Sequence, residues 1–546
     1  MIQNPILRGF NPDPSICRAG DTYYIATSTF EWYPGVQIHA SQDLANWDLV
    51  ARPLSRATQL DMRGNPDSCG VWAPCLSYAD GLFWLVYTDV KRLDGNFKDA
   101  HNYIVTAPAI DGPWSDPVYV NSSGFDPSLF HDDDGRKYFC NMQWNHVSNS
   151  VGGHPKHPAF DGILLQEWSP DKGLFGPVKN IFAGSAHGLT EAPHIFKRDG
   201  FYYLTTAEGG TGYDHAVTLA RSRDLWGPYE LHPDSFVITA KDAPDNALQR
   251  TGHGQLVETP TGEVYHTYLC SRPLKGRYSP CGRETGIAKC TWHEDGWLYL
   301  DGGGTAPSVH VPALGSAASK ERAAVSYDLA SQHLPMDFQW LRTPEPDRIF
   351  KMTGTALRLI GRESLGSWFE QSLVARRQED LSYRATCHLS QFDPSTYQHG
   401  AGLTTYYNRH KFHALCVTWT QEAGRVLTIL SCNGDWPDGQ LSFPCDAIAL
   451  GDGPVELSVD VNGTQQQFSY RQGGDWVAFG PQLDARVISD EGGRGEHASF
   501  TGAFVGMFAF DITGQGKPAE FTEFSYVPQA YTPATPHFER SHECQE

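Results

Sequence analysis

What this sequence lacks narrows its class before any motif is read. No apolar pattern with a 3.6-residue period persists for long, which argues against a helical fold. No stretch approaches the roughly 18 consecutive apolar residues of a membrane span. The opening "MIQNPILRGF" has no basic region followed by an apolar one, so a secretory leader is not expected. Basic residues are in the minority, 42 against 63 acidic for a formal charge of −21. No basic cluster interrupts that excess, so nucleic acid is not an expected partner, and neither is a membrane. The 12 cysteines include no C-x-x-C pair, and Cys140, Cys416 and Cys432 sit inside apolar, strand-like runs. Reduced, buried thiols in a cytoplasmic protein are therefore expected, rather than disulfides or a zinc site. The glycine run "EGGTGY" from Glu208 lacks the G-x-G-x-x-G spacing and the strand-to-helix setting of a nucleotide loop, and reads as a turn.

What is abundant points the other way. Aromatics reach 12%, with 15 Trp and 24 Tyr, and 54 Gly and 36 Pro supply turns. That mixture fits an all-β protein of many short strands, and 546 residues are too many for one core. Aromatics without compensating positive charge suit a neutral, hydroxyl-rich ligand.

A repeat organises the first part of the chain. "DPSICRAGDTYYIAT" starts at Asp13, "WAPCLSYADGLFWLVYT" at Trp72, "DPSLFHDDDGRKYFCNM" at Asp126 and "EAPHIFKRDGFYYLTTA" at Glu191. A degenerate copy, "HGQLVETPTGEVYHTYL", starts at His253. Each copy has a leading polar or aromatic residue, a Pro (Gly254 in the last) and a turn before an aromatic-rich strand. A unit of roughly 60 residues with several short strands fits a four-stranded propeller blade with long loops, and five units predict a five-bladed β-propeller. The first strand of a blade lines the central channel. Asp13, Trp72, Asp126, Glu191 and His253 are thus expected to converge on one funnel. In "NPDP" each proline restricts the residue before it, which predicts extended backbone at Asn11 and Asp13. An aspartate before proline also commonly makes turn hydrogen bonds. Three carboxylates in one phase of three repeats favour a shared chemical site.

After Leu300 the repeat stops. "DGGGTAPSVHVPALGSAASK" reads as a linker, and from about Val325 polar and apolar residues alternate, with Asn-Gly turns in "CNGDWPDG" and "DVNGTQQQ". The expected domains are a propeller over 1–305, a linker over 306–324, an antiparallel β-sandwich over 325–535 and a tail over 536–546.

Together "NPDPS", "GFDPSLF" and "TEAPHIF", with "TAEGGTGYDHAVTLARS", "GRETGIAKCTW" and "FTGAFVGM", resemble glycoside hydrolase family 43. The layout resembles its two-domain β-xylosidases, in which a concanavalin-like sandwich completes the active site. The resemblance implies that Asp13 is the general base, Glu191 the general acid and Asp126 the carboxylate that tunes and orients the acid. An inverting glycosidase needs such a pair, roughly 6.5–9.5 Å apart to admit a water. Trp72, in phase with the catalytic positions, is a candidate sugar-stacking wall on sequence alone, and the resemblance implies that Phe30, Trp144 and Arg283 also bind the sugar; core packing is the alternative for the aromatics and a surface position for Arg283. Phe504 is expected to insert at the pocket rim, a sandwich-core position being the alternative. In some members a histidine placed like His253 accompanies a structural calcium ion completed by water; no organic cofactor is implied. The expected substrates are short xylooligosaccharides, cut from the non-reducing end. The alternatives are α-L-arabinofuranosidase activity and a non-catalytic carbohydrate-binding propeller. A homo-oligomer is expected, a tetramer being ordinary for the group.

Overall fold

The structure is a computed structural model that describes residues 1–147, 157–434, 440–493 and 499–531. Five antiparallel sheets form the propeller blades. Their innermost strands begin at Ser15, Gly70, Ser128, Glu191 and Gln249. Asp-Gly pairs make the tight turns the pattern predicts. Asp80–Gly81 and Asp199–Gly200 both have positive φ at the two central positions, as a hairpin turn matched to the twist of its strands requires. The ring is closed by the N-terminus. Leu7 exchanges backbone hydrogen bonds with Thr285 of the fifth blade, and the Asn11 N–H donates to the Arg283 carbonyl. That closure brings Asp13 beside Arg283 from the far end of the propeller.

The second domain is a sandwich of two eight-stranded antiparallel sheets. Strands such as His399–Asn408, Lys411–Thr420 and Phe504–Asp511 are buried on both faces, and successive residues point alternately to the layer between the sheets and away from it. Leu403, Leu415, Val505 and Met507 pack there against Leu389, Leu457 and Phe521. The predicted Asn462–Gly463 hairpin joins strands Val455–Asn462 and Gln465–Arg471. The turn in "CNGDWPDG" runs into residues outside the described set.

The domain boundary differs from the expected one in two respects. The segment read as a linker is docked along the propeller: His310–Val311 pairs with Ile2–Gln3, and Val311 packs with Ile2, Leu7 and Ile287. Its apolar residues, Val309, Val311, Leu314 and Ala317, were masked in the sequence by the surrounding Gly, Ser and Ala. The second difference is a strand exchange. Trp32–Tyr33, from the blade-one loop "TFEWYPG", pairs with Phe338–Leu341 as the edge strand of a sandwich sheet. The two domains therefore share one sheet. Residues 536–546, read as a tail, lie outside the described residues. Among the described residues, no helix is long and apolar enough to cross a membrane.

Candidate active site

Asp13 and Asp126 precede their inner strands, Glu191 begins its strand, Trp72 lies near the start of its strand and His253 directly follows its strand, in each case near a departure from regular pairing or backbone. Pairing shifts between Trp72 and Cys75, between Glu191 and His194, and between Gln249 and Gly252. Asp13 and Asp126 have φ of +57° and +53°, and His253 has +45°. The expectation of extended backbone at Asp13 is therefore wrong. A following proline disfavours the right-handed helical region, and aspartate is among the few side chains that tolerate the left-handed one. Both aspartates use that escape. Such strained positions at rigid strand ends are where functional groups are commonly held.

Asp13 is anchored through both oxygens. The Arg283 guanidinium donates to Oδ1 at 2.9 Å, and the Ser28 hydroxyl donates to Oδ2 at 2.6 Å. The Asp126 carboxyl accepts the backbone N–H of Ala192 at 3.2 Å, which fixes the residue next to Glu191. The imidazole of His253 lies 3.7 Å from Asp13 Oδ1 and 4.0 Å from Asp126 Oδ2, so carboxylates from blades one and three meet around one ring. Asp13, Asp126, Glu191, His253, Arg283 and Ser28 are all buried. Burial, followed by the Asp13 charge, pushes Glu191 up to about 8; Arg283 and then Lys98 oppose that rise. Burial, then the charges of Glu191 and Asp13, raises Asp126 well above the usual range. His253 is lowered to about 4, chiefly by burial, and its ring is neutral near pH 7.

The aromatic wall is continuous. Phe30 and Trp72 are 5.7 Å apart, Trp72 and Phe125 5.3 Å, and Phe125 and Trp144 6.3 Å, measured between ring centres. Arg283 lies 5.2 Å over the Phe30 ring, is buried and is held from a second side by the Phe500 carbonyl. It is not a surface arginine. Trp144 is half-buried farther out, with the Lys98 ammonium 4.3 Å over its ring.

Phe504 is not at the rim. It has no exposed surface, stacks on Trp32 at 3.6 Å and sits in the middle of a sheet, paired with both Arg377 and Tyr406. The residue that reaches the propeller pocket is Phe500, four positions earlier in the same segment. It is half-buried and 6.4 Å from Trp72. Phe500 lies in the loop before the strand that starts at Phe504, whereas a residue bonded on both strand edges is held in the sheet. Phe500 and Ser28 were missed by sequence reasoning. The available signal was the unbroken apolar run that starts at Ala503, since it placed Phe504 inside the strand and Phe500 before it. A groove of about 660 Å³ on the sandwich, lined by Phe412, Trp419 and Phe443, contains none of these groups.

Comparison with known proteins agrees with this geometry. The family described as "Glycosyl hydrolases family 43" matches residues 2–298, more than half of the chain. The chain belongs to glycoside hydrolase family 43. Residues 326–527 match the "Beta xylosidase C-terminal Concanavalin A-like domain". This family 43 protein is 53% identical to "Xylosidase/arabinosidase 43B" of Humicola insolens, over 96% of this chain and 98% of that one. It is 45% identical to the "Beta-xylosidase" of Bacillus subtilis (strain 168), over 96% and 99% respectively. The crystal structure of xylan beta-1,4-xylosidase from Bacillus halodurans C-125 superposes with a TM-score of 0.91 at 47% identity, covering 96% of this chain and all of that one.

The donors around His253 do not fit an all-protein calcium cage in this family 43 chain. Calcium takes six to eight oxygens. The axis offers imidazole nitrogen, and its nearest carboxyl oxygens are those of Asp13, committed to Arg283 and Ser28, and of Asp126, which accepts from Ala192. Among the described residues no cluster of three or more His, Cys, Asp or Glu is arranged for a metal.

Proposed function

We propose that this glycoside hydrolase is an exo-acting, inverting β-1,4-xylosidase that releases xylose from the non-reducing end of short xylooligosaccharides. The observation that carries the reading is the convergence of buried carboxyls from three blades, with Asp13 anchored by Arg283 and Ser28 and Asp126 bonded to the residue after Glu191. Glu191 keeps its proton up to about pH 8, while Asp13 accepts hydrogen bonds at both oxygens. In the reaction, a water held between sugar and Asp13 loses its proton to Asp13 and bonds to the anomeric carbon. The glycosidic C–O bond breaks on the opposite face, and Glu191 gives its proton to the departing oxygen. Asp126 holds the backbone after Glu191 by accepting the Ala192 N–H. Arg283 uses one N–H of each terminal nitrogen on Asp13 and on the Phe500 carbonyl, and the second N–H of each is the candidate donor to a sugar hydroxyl. Phe30 and Trp72 supply apolar faces for the ring.

Termini-first cutting follows from the pocket's second wall. The Phe500 loop comes from the sandwich and stands over the propeller funnel beside Trp72, where it blocks sugars beyond the terminal one. A second reading, combined xylosidase and α-L-arabinofuranosidase activity, is favoured by the name of the Humicola relative. Initial rates on aryl β-xyloside and aryl α-L-arabinofuranoside separate the two. A xyloside preference of tenfold or more supports the first, and comparable rates the second. A homo-oligomer, tetrameric as the resemblance implies, and a cytoplasmic location complete the reading. The buried cysteines of the propeller, such as Cys75, Cys140 and Cys290, form no disulfide with one another, which suits a reducing compartment.

A further inference from the structure

A chain of hydrogen bonds crosses from the sandwich into the sugar subsite, and its hub is neither a carboxylate of the funnel nor an aromatic of the wall. Arg342, on the sandwich, donates from Nη2 to Asp67 at 2.8 Å and from Nε to the Asn65 carbonyl at 2.7 Å. Arg409, also on the sandwich, donates to the other Asp67 oxygen at 3.1 Å. These contacts grip the propeller segment that ends at Ser68. Ser68 then contacts three different parts of the site. Its N–H donates to Glu31 Oε2 at 3.1 Å, its carbonyl accepts Trp72 Nε1–H at 2.9 Å, and its hydroxyl accepts the Phe500 N–H at 3.0 Å. The Phe500 carbonyl in turn accepts Arg283 Nη2–H at 2.9 Å, and Arg283 Nη1 donates to Asp13. Ser68 has a φ of +63° and is buried, so a strained, solvent-free backbone is maintained at this junction.

We propose that Ser68 and Glu31 are positioning residues that hold the sugar-stacking Trp72, the Phe500 cap and, through Arg283, the Asp13 base in mutual register. The placement of Glu31 supports this role. It lies between Phe30, a wall residue, and Trp32, the strand shared with the sandwich, and its carbonyl accepts the Arg342 N–H at 2.9 Å. A side chain buried at such a joint costs solvation unless it is bonded, and Glu31 is bonded to the hub. Loss of the hub would shift the cap and Arg283 together. Displacements of about 1 Å at positioning groups cost up to about a hundredfold in rate.

The proposal rests on the xylosidase reading, and hydrolysis of xylobiose and nitrophenyl β-xyloside by the parent enzyme is the control for that reading. In Ser68→Ala, kcat/KM should fall about tenfold on both substrates by the same factor, because the base side serves both leaving groups. Competitive inhibition by free xylose should weaken by a similar factor. Glu31→Ala should behave alike, and Glu31→Gln should recover most of the loss, because its amide oxygen still accepts the Ser68 N–H. Burial already pushes Glu31 up to about 7, so a neutral amide is a close replacement. If Ser68→Ala does not fold, Ser68→Gly, which relieves the positive φ and also lacks the hydroxyl, is measured instead. A purely structural role predicts a lower melting temperature with kcat/KM and xylose inhibition within twofold of the parent; that result overturns the proposal. So does a loss confined to xylobiose, or a Glu31→Gln variant as impaired as Glu31→Ala.

Discussion

The propeller where it meets its axis and the sandwich at its central strand pair differ in backbone regularity. In the propeller, Asp13, Asp126 and His253 take left-handed backbone and the strands at Trp72 and Glu191 shift register where they meet the axis. In the sandwich, strands such as His399–Asn408 and Phe504–Asp511 pair through eight consecutive residues without a bulge. Chemistry sits at the breaks, and stability sits in the unbroken pairing. The sandwich reaches Trp72 and Arg283 from the loop before its Phe504 strand, at Phe500. The two phenylalanines of one short segment, Phe500 and Phe504, fall on opposite sides of that strand's start.

The sharpest way to break the comparison is at the carboxylates. Asp13→Ala should lower turnover of xylobiose and of an aryl xyloside alike, by about 10³-fold, since each substrate needs the activated water. Glu191→Ala should impair xylobiose as severely but spare an aryl xyloside with an acidic phenol, which departs without a proton. Steady-state kinetics on the two substrates checks both. Equal sensitivity to Glu191→Ala would remove Glu191 from the acid role.

Next in size is the phenylalanine pair. Phe504→Ala should cost about 3–5 kcal/mol, because a fully buried ring stacked on Trp32 leaves a cavity. Thermal melting should register that loss, with kinetics of the folded fraction nearly unchanged. Phe500→Ala should do the reverse, cutting kcat/KM for xylobiose about tenfold while the melting temperature barely moves. The smaller expectation concerns protons. The folded chain keeps the Glu191 proton up to about pH 8, whereas the unfolded chain releases it near the ordinary value of 4.5. Between those values the folded state holds the extra proton, so stability falls as pH rises through the window. Glu191→Gln should therefore melt higher than the parent at pH 8, with the difference vanishing toward pH 4.5. Smallest of all, Trp144→Ala should raise KM for xylobiose about three- to tenfold, as the loss of one partly exposed stacking face implies.

The repeat made the funnel legible, because leading residue, proline and turn recur at nearly constant spacing and a blade's first strand must face the axis. Asp13, Asp126 and Glu191 could be named from that phase alone. The strand Trp32–Tyr33 could not be assigned to the sandwich, because two residues carry no periodicity and their partner, Phe338–Leu341, lies hundreds of positions away. The docked segment around Val311 was hidden by the glycines and alanines that flank it. The left-handed aspartates escaped because proline excludes one backbone region without choosing between the others. Ser68 was invisible for a similar reason: its role rests on hydrogen bonds to partners on separate elements, and a serine has no pattern of its own.

The central claim is that Asp13 activates a water rather than attacking the sugar. Proton NMR of the first turnovers on a β-xyloside, before mutarotation mixes the anomers, tests this most directly. The account predicts that α-xylose appears first; initial formation of β-xylose would make Asp13 a nucleophile and contradict it.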